Sequence, residues 1–339
     1  MPCPHRTYSA IMVTMTWLDG LRFDPIAPLL SSGHPAVRSW AVRELVPGPG
    51  GLPAAPAADE ALWDLPVPRR ILRHQAADGS WAYPGRRPRD RMDYDLLETY
   101  RQLGFLVEMF GLTRRHPAIA AAGGYVLSHQ SEPGDLRGVY GNQVSPNYTA
   151  ALIGLLCKAG YGDHPRVERA FSWLEASRQD DGGWALPLRT RGRKLDALDE
   201  PQTITGDPSQ PFSHLITGVV LRAYAAHPAH RASTSAQKAA EMLAGRFFEP
   251  DAYPDKGRVS DWTEFCFPFW MTDLVSALDA ISIIHPGLRT EKTGQARDWL
   301  AAHQEPSGLF TGHLLRDRFH DLQLWFSLAV CRVFARMPS

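Results

Sequence analysis

The sequence predicts an all-α protein in which about five to six helical hairpins stack side by side and close into an α/α toroid. Three observations predict this fold. Apolar residues recur at three- and four-residue spacing, one glutamine-containing turn recurs along the chain, and no segment alternates convincingly enough to form a strand. Because stacked hairpins need not close on themselves, an open solenoid of the HEAT type is the competing arrangement.

The recurring turn contains a glutamine, a glycine a few residues later, and then a large apolar residue. It is complete at residues 75–81 and 179–184, partial at 130–136 and 304–310, and degenerate near 247–253. The glutamine amide can satisfy backbone groups at helix ends, the glycine permits a tight turn, and the aromatic ring can pack on the next hairpin. These turns therefore predict architecture rather than chemistry.

Each turn joins segments with the apolar spacing of amphipathic helices. Residues 148–159 and 167–178 form one such pair around a turn rich in glycine, aspartate and proline. HisPro pairs at 116–117, 164–165 and 285–286 predict the starts of second helices, because proline is tolerated in a first helical turn. The pattern predicts two layers, with one helix of each hairpin lining the inside of the ring.

The chain divides into three predicted parts. We expect residues 1–20 to lie outside the fold, as a disordered segment or as residues before a true start at Met12 or Met15. Residues 21–60 should form an N-terminal helical pair followed by a linker rich in proline, glycine and alanine. Residues 61–339 should form the toroid.

Composition narrows the class of protein. Hydrophobic residues make up 44% of the chain and charged residues 21%, which is typical of a globular protein. The 36 basic and 36 acidic residues leave no net charge, so the surplus that nucleic-acid binding requires is missing. Four cysteines without a CxxC pair favour a reducing cytoplasm, and no apolar run reaches the roughly 20 residues of a transmembrane helix.

The stretch from residue 257 to residue 270 is the most specific motif. It resembles the catalytic stretch of the protein prenyltransferase β subunit. With the glutamine–glycine–tryptophan turns, it gives a resemblance to the terpene cyclase and protein prenyltransferase superfamily over roughly residues 65–335. In the prenyltransferase family an Asp-x-Cys pair binds zinc immediately before an aromatic-x-Phe-Trp helix start. Glu264 and Cys266 match that pair, and His320 matches a third zinc ligand at the start of a late helix.

This resemblance implies a catalytic zinc ion on Glu264, Cys266 and His320. Cysteine, histidine and carboxylate are zinc ligands, and three protein ligands leave a fourth position open for a nucleophile. The match has departures: glutamate replaces aspartate, Asp261 stands where the family has a basic residue, and Phe267 replaces a tyrosine. These departures bear more on diphosphate binding than on the metal. Cys266 and His320 are also the expected catalytic residues.

Substrate binding is expected from arginines and from residues at inner helix starts. Arg258 matches a family arginine that binds diphosphate, and Arg189 and Arg191 lie in a basic loop that could grip phosphate. Aromatic faces line apolar pockets and stabilise cationic carbon. The polar and aromatic candidates are Tyr140, Tyr148, His214, Phe267, Trp270 and Trp325.

Asp95 is a weaker candidate for a catalytic acid. With Asp93 and Glu98 it places three acids near one helix start, although acids in a first turn are also favoured by the helix dipole. The Asp-x-Asp-Asp acid of protonating terpene cyclases is absent.

These observations favour an enzyme that binds an isoprenoid diphosphate in a central aromatic funnel, with zinc activating the acceptor nucleophile. A cyclase-like enzyme acting within one toroid, or a non-catalytic scaffold for a lipid or peptide, are the alternatives, because one fold hosts several chemistries. Family members usually work with an α subunit, which this chain does not contain. A small-molecule acceptor would remove the need for that helical partner.

Overall fold

The computed structural model describes residues 16–46, 59–253, 257–315 and 321–338. Of the described residues, 56% are helix and 4% are strand, which confirms the all-α prediction. The thirteen α-helices of the described residues are α1 Ile26–Ser31, α2 Pro35–Leu45, α3 Pro66–Arg73, α4 Tyr94–Gly104, α5 Pro117–Ser128, α6 Pro146–Leu156, α7 Pro165–Ala176, α8 Pro187–Thr190, α9 His214–Ala226, α10 Thr234–Ala244, α11 Leu274–Ile284, α12 Glu291–Ala302 and α13 Leu322–Arg336.

Two strands and several short helical segments complete the described chain. Strand β1 Glu264–Phe265 pairs in parallel with β2 His313–Leu314. π-Helical turns at Phe105–Met109 and Cys157–Tyr161 continue α4 and α6. The 3-10 segments are Thr16–Gly20, Glu60–Asp64, Leu195–Asp199, His230–Ala232 and Val259–Thr263.

Helices of two kinds alternate along the chain. In α11, nine of the eleven residues are buried, whereas α12 buries only Thr293, Ala296 and Leu300. Helices such as α11 therefore lie inside the molecule, and helices such as α12 cover them. Residues in contact join the inside helices in the series α13, α11, α9, α6 and α4, and α2 packs against α13. The Trp40 indole of α2 donates to the Met109 carbonyl beyond α4 at 2.8 Å, so this series of contacts returns to α2.

The glutamine of each turn ties neighbouring segments together. The Gln75 amide donates to the carbonyls of Gly79 and Ala118, at 2.9 and 2.8 Å. Gln130 repeats this with Gly134 and Arg166. At Gln179 the amide instead reaches the carbonyls of Asp207 and Gln210, because residues 187–213 are inserted before the next inside helix.

Each turn is also tied to its inside helix by a hydroxyl. The backbone N–H of the large apolar residue donates to a threonine or serine one turn into that helix. The four pairs are Trp81 with Thr99, Leu136 with Thr149, Trp184 with Thr217, and Phe310 with Ser327, at 2.8–3.0 Å. This hydroxyl is part of the repeat that the glutamine–glycine–aromatic pattern does not include.

The last turn joins the two ends of the described chain. The Gln304 side-chain oxygen accepts from the backbone N–H groups of Arg22 and Phe23, and its amide donates to the Phe23 carbonyl at 2.8 Å. At Gly308, with φ +87°, an added Cβ would lie 2.2 Å from the Asp24 carbonyl oxygen. The N-terminal helical pair is therefore packed into the same body as the later hairpins, with α2 against α13.

Several boundaries differ from the sequence-based expectations. His116 and His164 cap α5 and α7 as the HisPro pairs predict, but the prediction at 285–286 is wrong. There α11 ends at Ile284, and α12 begins at Glu291 behind the Thr290 cap. Of residues 1–20, those from 16 onwards form a 3-10 segment with a buried Trp17. Residues 1–15 and 47–58, which include most of the predicted linker, lie outside the described residues.

None of the helices that the structure describes is long and apolar enough to cross a membrane.

We predict that Gln304→Ala lowers the free energy of unfolding by about 1–2 kcal/mol, because it leaves partly buried backbone groups of residues 22–23 without their protein partners. Urea denaturation followed by circular dichroism measures the change. The matched control is Gln295→Ala on the preceding helix, where the exposed amide bonds only to Glu291. Equal stability of the two variants would contradict this role for Gln304.

Candidate functional site

Three inside helices begin around one cavity of about 240 Å³, which we call the mouth cavity. The first turns of α4, α6 and α9 supply most of its wall, and the residues just before α11 close it. Its lining consists of Leu97, Tyr100, Arg101, Tyr140, Asn147, Tyr148, Leu215, Ile216, Val219, Trp270, Met271 and Thr272. Of the predicted substrate-binding residues, Tyr140, Tyr148 and Trp270 converge here.

Four aromatic rings form a continuous edge-to-face set around the mouth cavity. Tyr148 packs against Tyr140 at 4.9 Å and against Tyr100 at 5.8 Å between ring centroids. Tyr100 in turn meets Trp270 at 5.2 Å with the rings 80° apart. Burial raises the pKa of Tyr100 to about 12 and raises that of Tyr140, so both hydroxyls stay neutral at physiological pH. The wall is thus aromatic and largely uncharged, as an apolar ligand requires.

Trp270 forms the floor of the mouth cavity. Its ring lies so close to α4 that a Cβ on Gly104 would be 2.3 Å from Trp270 Cη2. Beyond the indole lies a further space of only about 30 Å³. Its far end carries a Lys158–Glu108 ion pair at 2.7 Å. Trp270 therefore separates an aromatic entrance from a polar far end.

The backbone around Trp270 is fixed on both sides. The Arg222 guanidinium donates to the Met271 carbonyl at 2.6 Å, and the Thr272 hydroxyl donates to the Leu215 carbonyl at 2.7 Å. A Cβ on Gly218 would lie 2.3 Å from the Thr272 side chain. Glycines on two facing inside helices thus make room for this segment.

The predicted zinc ligands are only partly described. Glu264 is half-buried in β1, with its carboxylate 3.6 Å from Arg258 Nη2 and 3.8 Å from His313 Nδ1. Cys266 is buried, and its Sγ accepts from the Trp270 N–H at 3.4 Å. Within the described ranges, no third histidine, cysteine or carboxylate joins these two at metal-binding distance. His320 lies outside the described residues, so the zinc site stays a prediction.

Cys266 and Asp273 are a buried thiol and a buried carboxyl near the residues that close the mouth cavity. Burial, with the Asp273 charge as a further cause, raises the pKa of Cys266 to about 11. Burial raises the pKa of Asp273 to about 7, although its Oδ1 accepts from the Ser276 N–H at the start of α11. The other oxygen, Oδ2, is buried without a hydrogen-bond partner. Without a metal ion the thiol is protonated, and Asp273 is mainly a neutral acid below about pH 7.

The predicted phosphate-binding arginines are occupied by neighbouring acceptors. Arg258 is exposed and pairs with Asp261 at 3.0 Å in addition to Glu264. Arg191 donates to the Asp207 carboxylate and to two adjacent carbonyls. Arg189 donates to the Arg193 carbonyl and lines a separate cavity of about 80 Å³ that shares Tyr140 with the mouth.

The remaining predicted site residues lie elsewhere. Asp95 accepts from the Tyr83 N–H and from Arg87 at 2.5 Å, which is a local structural role. His214 is buried and stacked on Trp262, and burial lowers its pKa. Phe267 and Trp325 stack on each other at 5.1 Å in the core. None of these four residues lines the mouth cavity.

A larger cavity of about 670 Å³ lies between α3 and α4. Sequence reasoning did not identify it. The nearly buried Glu98 carboxylate on its wall is held by Arg101 and Gln102. The lining residues are Arg70, Ile71, His74, Trp81, Ala82, Pro84, Glu98, Gln102 and Phe105.

A Glu/His/His group, also not predicted, could hold a metal ion. Glu168 of α7, His227 at the end of α9 and His230 in the following 3-10 segment bring one ligand atom each to within 4.8 Å of one another. The only sequence signal was the H-x-x-H spacing of the two histidines.

Comparisons with known proteins are distant. No protein family and no curated protein matches the chain. A crystal structure of a protein from Actinoplanes matches 96% of this chain and 90% of that one, with 16% identity and a TM-score of 0.44. A likeness this remote does not bear on function.

We predict that Asp273→Asn stabilises the protein increasingly as pH rises from about 4 to about 7. In that window the folded carboxyl keeps the proton that the unfolded carboxyl loses, so wild-type stability falls with rising pH. Asparagine also caps helices, so α11 keeps its cap. Thermal melts of both proteins from pH 4 to 8 measure the effect, and Asp64→Asn, at an exposed carboxylate, is the control. A constant difference between Asp273→Asn and wild type across this range would refute the prediction.

Proposed function

We propose that the inside helices form a closed α/α toroid of helical hairpins that binds an isoprenoid chain at its mouth, and that the protein is a prenyltransferase-like enzyme. The closed series of helix contacts and the bonds from Gln304 to residues 22–23 support the ring. An open solenoid would leave its first and last hairpins without contact to each other.

The observation that carries the binding proposal is the convergence of Tyr100, Tyr140, Tyr148 and Trp270 on one cavity. Their ring faces offer an apolar surface of high polarisability, which suits the unsaturated carbons of an isoprenoid and any cationic carbon formed from it. At about 240 Å³, the mouth cavity is smaller than typical ligand pockets of about 300–1,000 Å³. A long chain therefore requires Trp270 to move or leaves part of itself outside.

The reaction we propose is transfer of the isoprenoid group from its diphosphate to a nucleophile held near Cys266: the bond from carbon to the diphosphate oxygen breaks, a bond from that carbon to the nucleophile forms, and diphosphate leaves. Glu264, Cys266 and His320 would hold zinc, since the donor types are those of a catalytic site with one open position. When bound, zinc lowers the pKa of a coordinated thiol or water. The chain's own contribution is to bury Cys266 beside the Trp270 floor, away from bulk water. Both Glu264 and Asp261 must release Arg258 before it can bind phosphate.

A specific observation favours a second candidate, a cyclase-like enzyme. Asp273 is a buried carboxyl held protonated up to about pH 7, with one oxygen unpartnered. A neutral carboxylic acid in an apolar site can protonate an alkene. Asp273 follows Thr272, which lines the mouth cavity, but does not itself line it. The occupied arginines favour the third possibility, a binding scaffold without catalysis.

Ligand binding tests the mouth cavity directly. We expect Tyr148→Ala to weaken binding of both farnesol and farnesyl diphosphate at least about tenfold, because the apolar chain loses an aromatic wall. Arg258→Ala and Arg191→Ala should weaken only the diphosphate. Titration calorimetry measures all affinities, with Phe23→Ala, an exposed aromatic side chain outside the mouth cavity, as control. Unchanged farnesol affinity in Tyr148→Ala would remove the mouth cavity as the binding site.

Metal analysis tests the reaction. We expect about one zinc ion per chain that depends on Cys266, bound through sulfur at about 2.3 Å. Cobalt substitution should give a thiolate charge-transfer band that is lost in Cys266→Ser and His320→Ala and kept in Cys157→Ser. A cobalt protein without a thiolate band, or one whose band survives His320→Ala, contradicts the zinc assignment and leaves the cyclase-like and scaffold proposals.

A further inference from the structure

We propose that Glu168, His227 and His230 bind one divalent transition-metal ion at the C-terminal end of α9, whose N-terminal end lines the mouth cavity. The ion would link α7 to the loop between α9 and α10. The site uses none of the residues of the mouth cavity or of the predicted zinc sphere. It is therefore independent of the proposed function.

The carboxylate of Glu168 lies between the two imidazoles. Its Oε1 is 3.2 Å from His227 Nε2, and its Oε2 is 3.0 Å from His230 Nε2. Ligand atoms about 2.0–2.1 Å from a tetrahedral ion lie roughly 3.3 Å from one another. Small movements of the partly exposed Glu168 and His230 side chains can therefore admit an ion among the three groups.

Both histidine rings are already held in place. His230 stacks on the buried Phe171 ring at 3.9 Å with the planes 19° apart, and His227 meets the edge of the same ring at 5.3 Å. Glu168 is exposed over about half of its side chain, so an ion can enter from solvent and keep water in its remaining positions. Because the two rings are already fixed, they lose little side-chain entropy when they bind the ion.

The donor types select the class of metal. Two neutral imidazoles and one carboxylate suit Zn²⁺, Ni²⁺ or Cu²⁺, whereas Mg²⁺ and Ca²⁺ prefer sites made of oxygen atoms. No thiol takes part. This distinguishes the site spectroscopically from any metal bound at Cys266.

Metal binding must also rearrange the loop. His227 Nδ1 accepts from the N–H groups of Ala229 and His230, both at 3.3 Å, which places the ring proton on Nε2. There it faces the Gly162 carbonyl at 3.0 Å. A metal on Nε2 moves that proton to Nδ1, so the two long bonds to residues 229–230 must break. We therefore expect binding to change the backbone between α9 and α10.

Titration of the metal-stripped protein with Zn²⁺ alone tests the site. We expect Glu168→Gln and His230→Ala each to lower zinc affinity at this site at least tenfold, while Cys266→Ser leaves it unchanged. The control is His285→Ala, because His285 faces only Glu241, at 3.5 Å. Glu168→Gln keeps the side-chain shape at an exposed position, so its folding is not at risk.

Two further readouts separate this site from adventitious zinc. Zinc should alter amide exchange of residues 229–232 in wild type but not in Glu168→Gln, and cobalt bound here should give no thiolate band. Wild-type zinc affinity in both Glu168→Gln and His230→Ala would overturn the proposal, whatever happens at Cys266. So would loss of all zinc in Cys266→Ser alone, which would instead support the proposed prenyltransferase site.

Discussion

The contact between the Gln304 turn and residues 22–24 is the constraint on which the rest of the structure depends. A helical hairpin exposes apolar side chains on both flanks, so it is stable only when both flanks are covered. In the toroid that we propose, the intermediate hairpins are covered by their sequence neighbours, and the first and last are covered by each other. The Gln304 amide bonds and the close approach of Gly308 to Asp24 hold these ends together, although Gln304 and Phe23 are 281 residues apart in sequence.

Close packing between neighbouring helices also explains how the site is built. Inside helices must approach closely, and the glycines at positions 104 and 218 let the segment around Trp270 enter between α4 and α9. The segment around Trp270 fills the space between these helices, so the mouth cavity has an aromatic wall and ends at Trp270. Its backbone is held by Arg222 and by the Thr272–Leu215 bond, so the floor is part of the packed interior.

The candidate phosphate-binding arginines lie outside the wall of the mouth cavity. The arginines of the 186–194 loop and of residue 258 are held by nearby carboxylates and carbonyls, whereas the mouth cavity is walled mainly by neutral rings. A ligand that binds in the mouth cavity gains free energy first from apolar contacts. Phosphate recognition requires the arginines to give up their present partners. The paired Glu168, His227 and His230 form a separate polar centre at the end of α9.

The sequence by itself determined the helices, the recurring turns and several caps, because these depend on local spacing, on proline at first turns and on glycine at positive φ. It also indicated Tyr140, Tyr148 and Trp270, since residues at inside helix starts share one end of a stacked array.

Tertiary structure alone decided that Cys266 is buried beside Asp273, that Phe267 and Trp325 pack in the core, and that Arg258 is engaged by its neighbours. It also brought Glu168 to two histidines about 60 residues away in sequence. Local pattern fixes which face of a helix is apolar, whereas burial, pairing and convergence depend on the rotation and depth of each helix against its neighbours, which no single segment encodes.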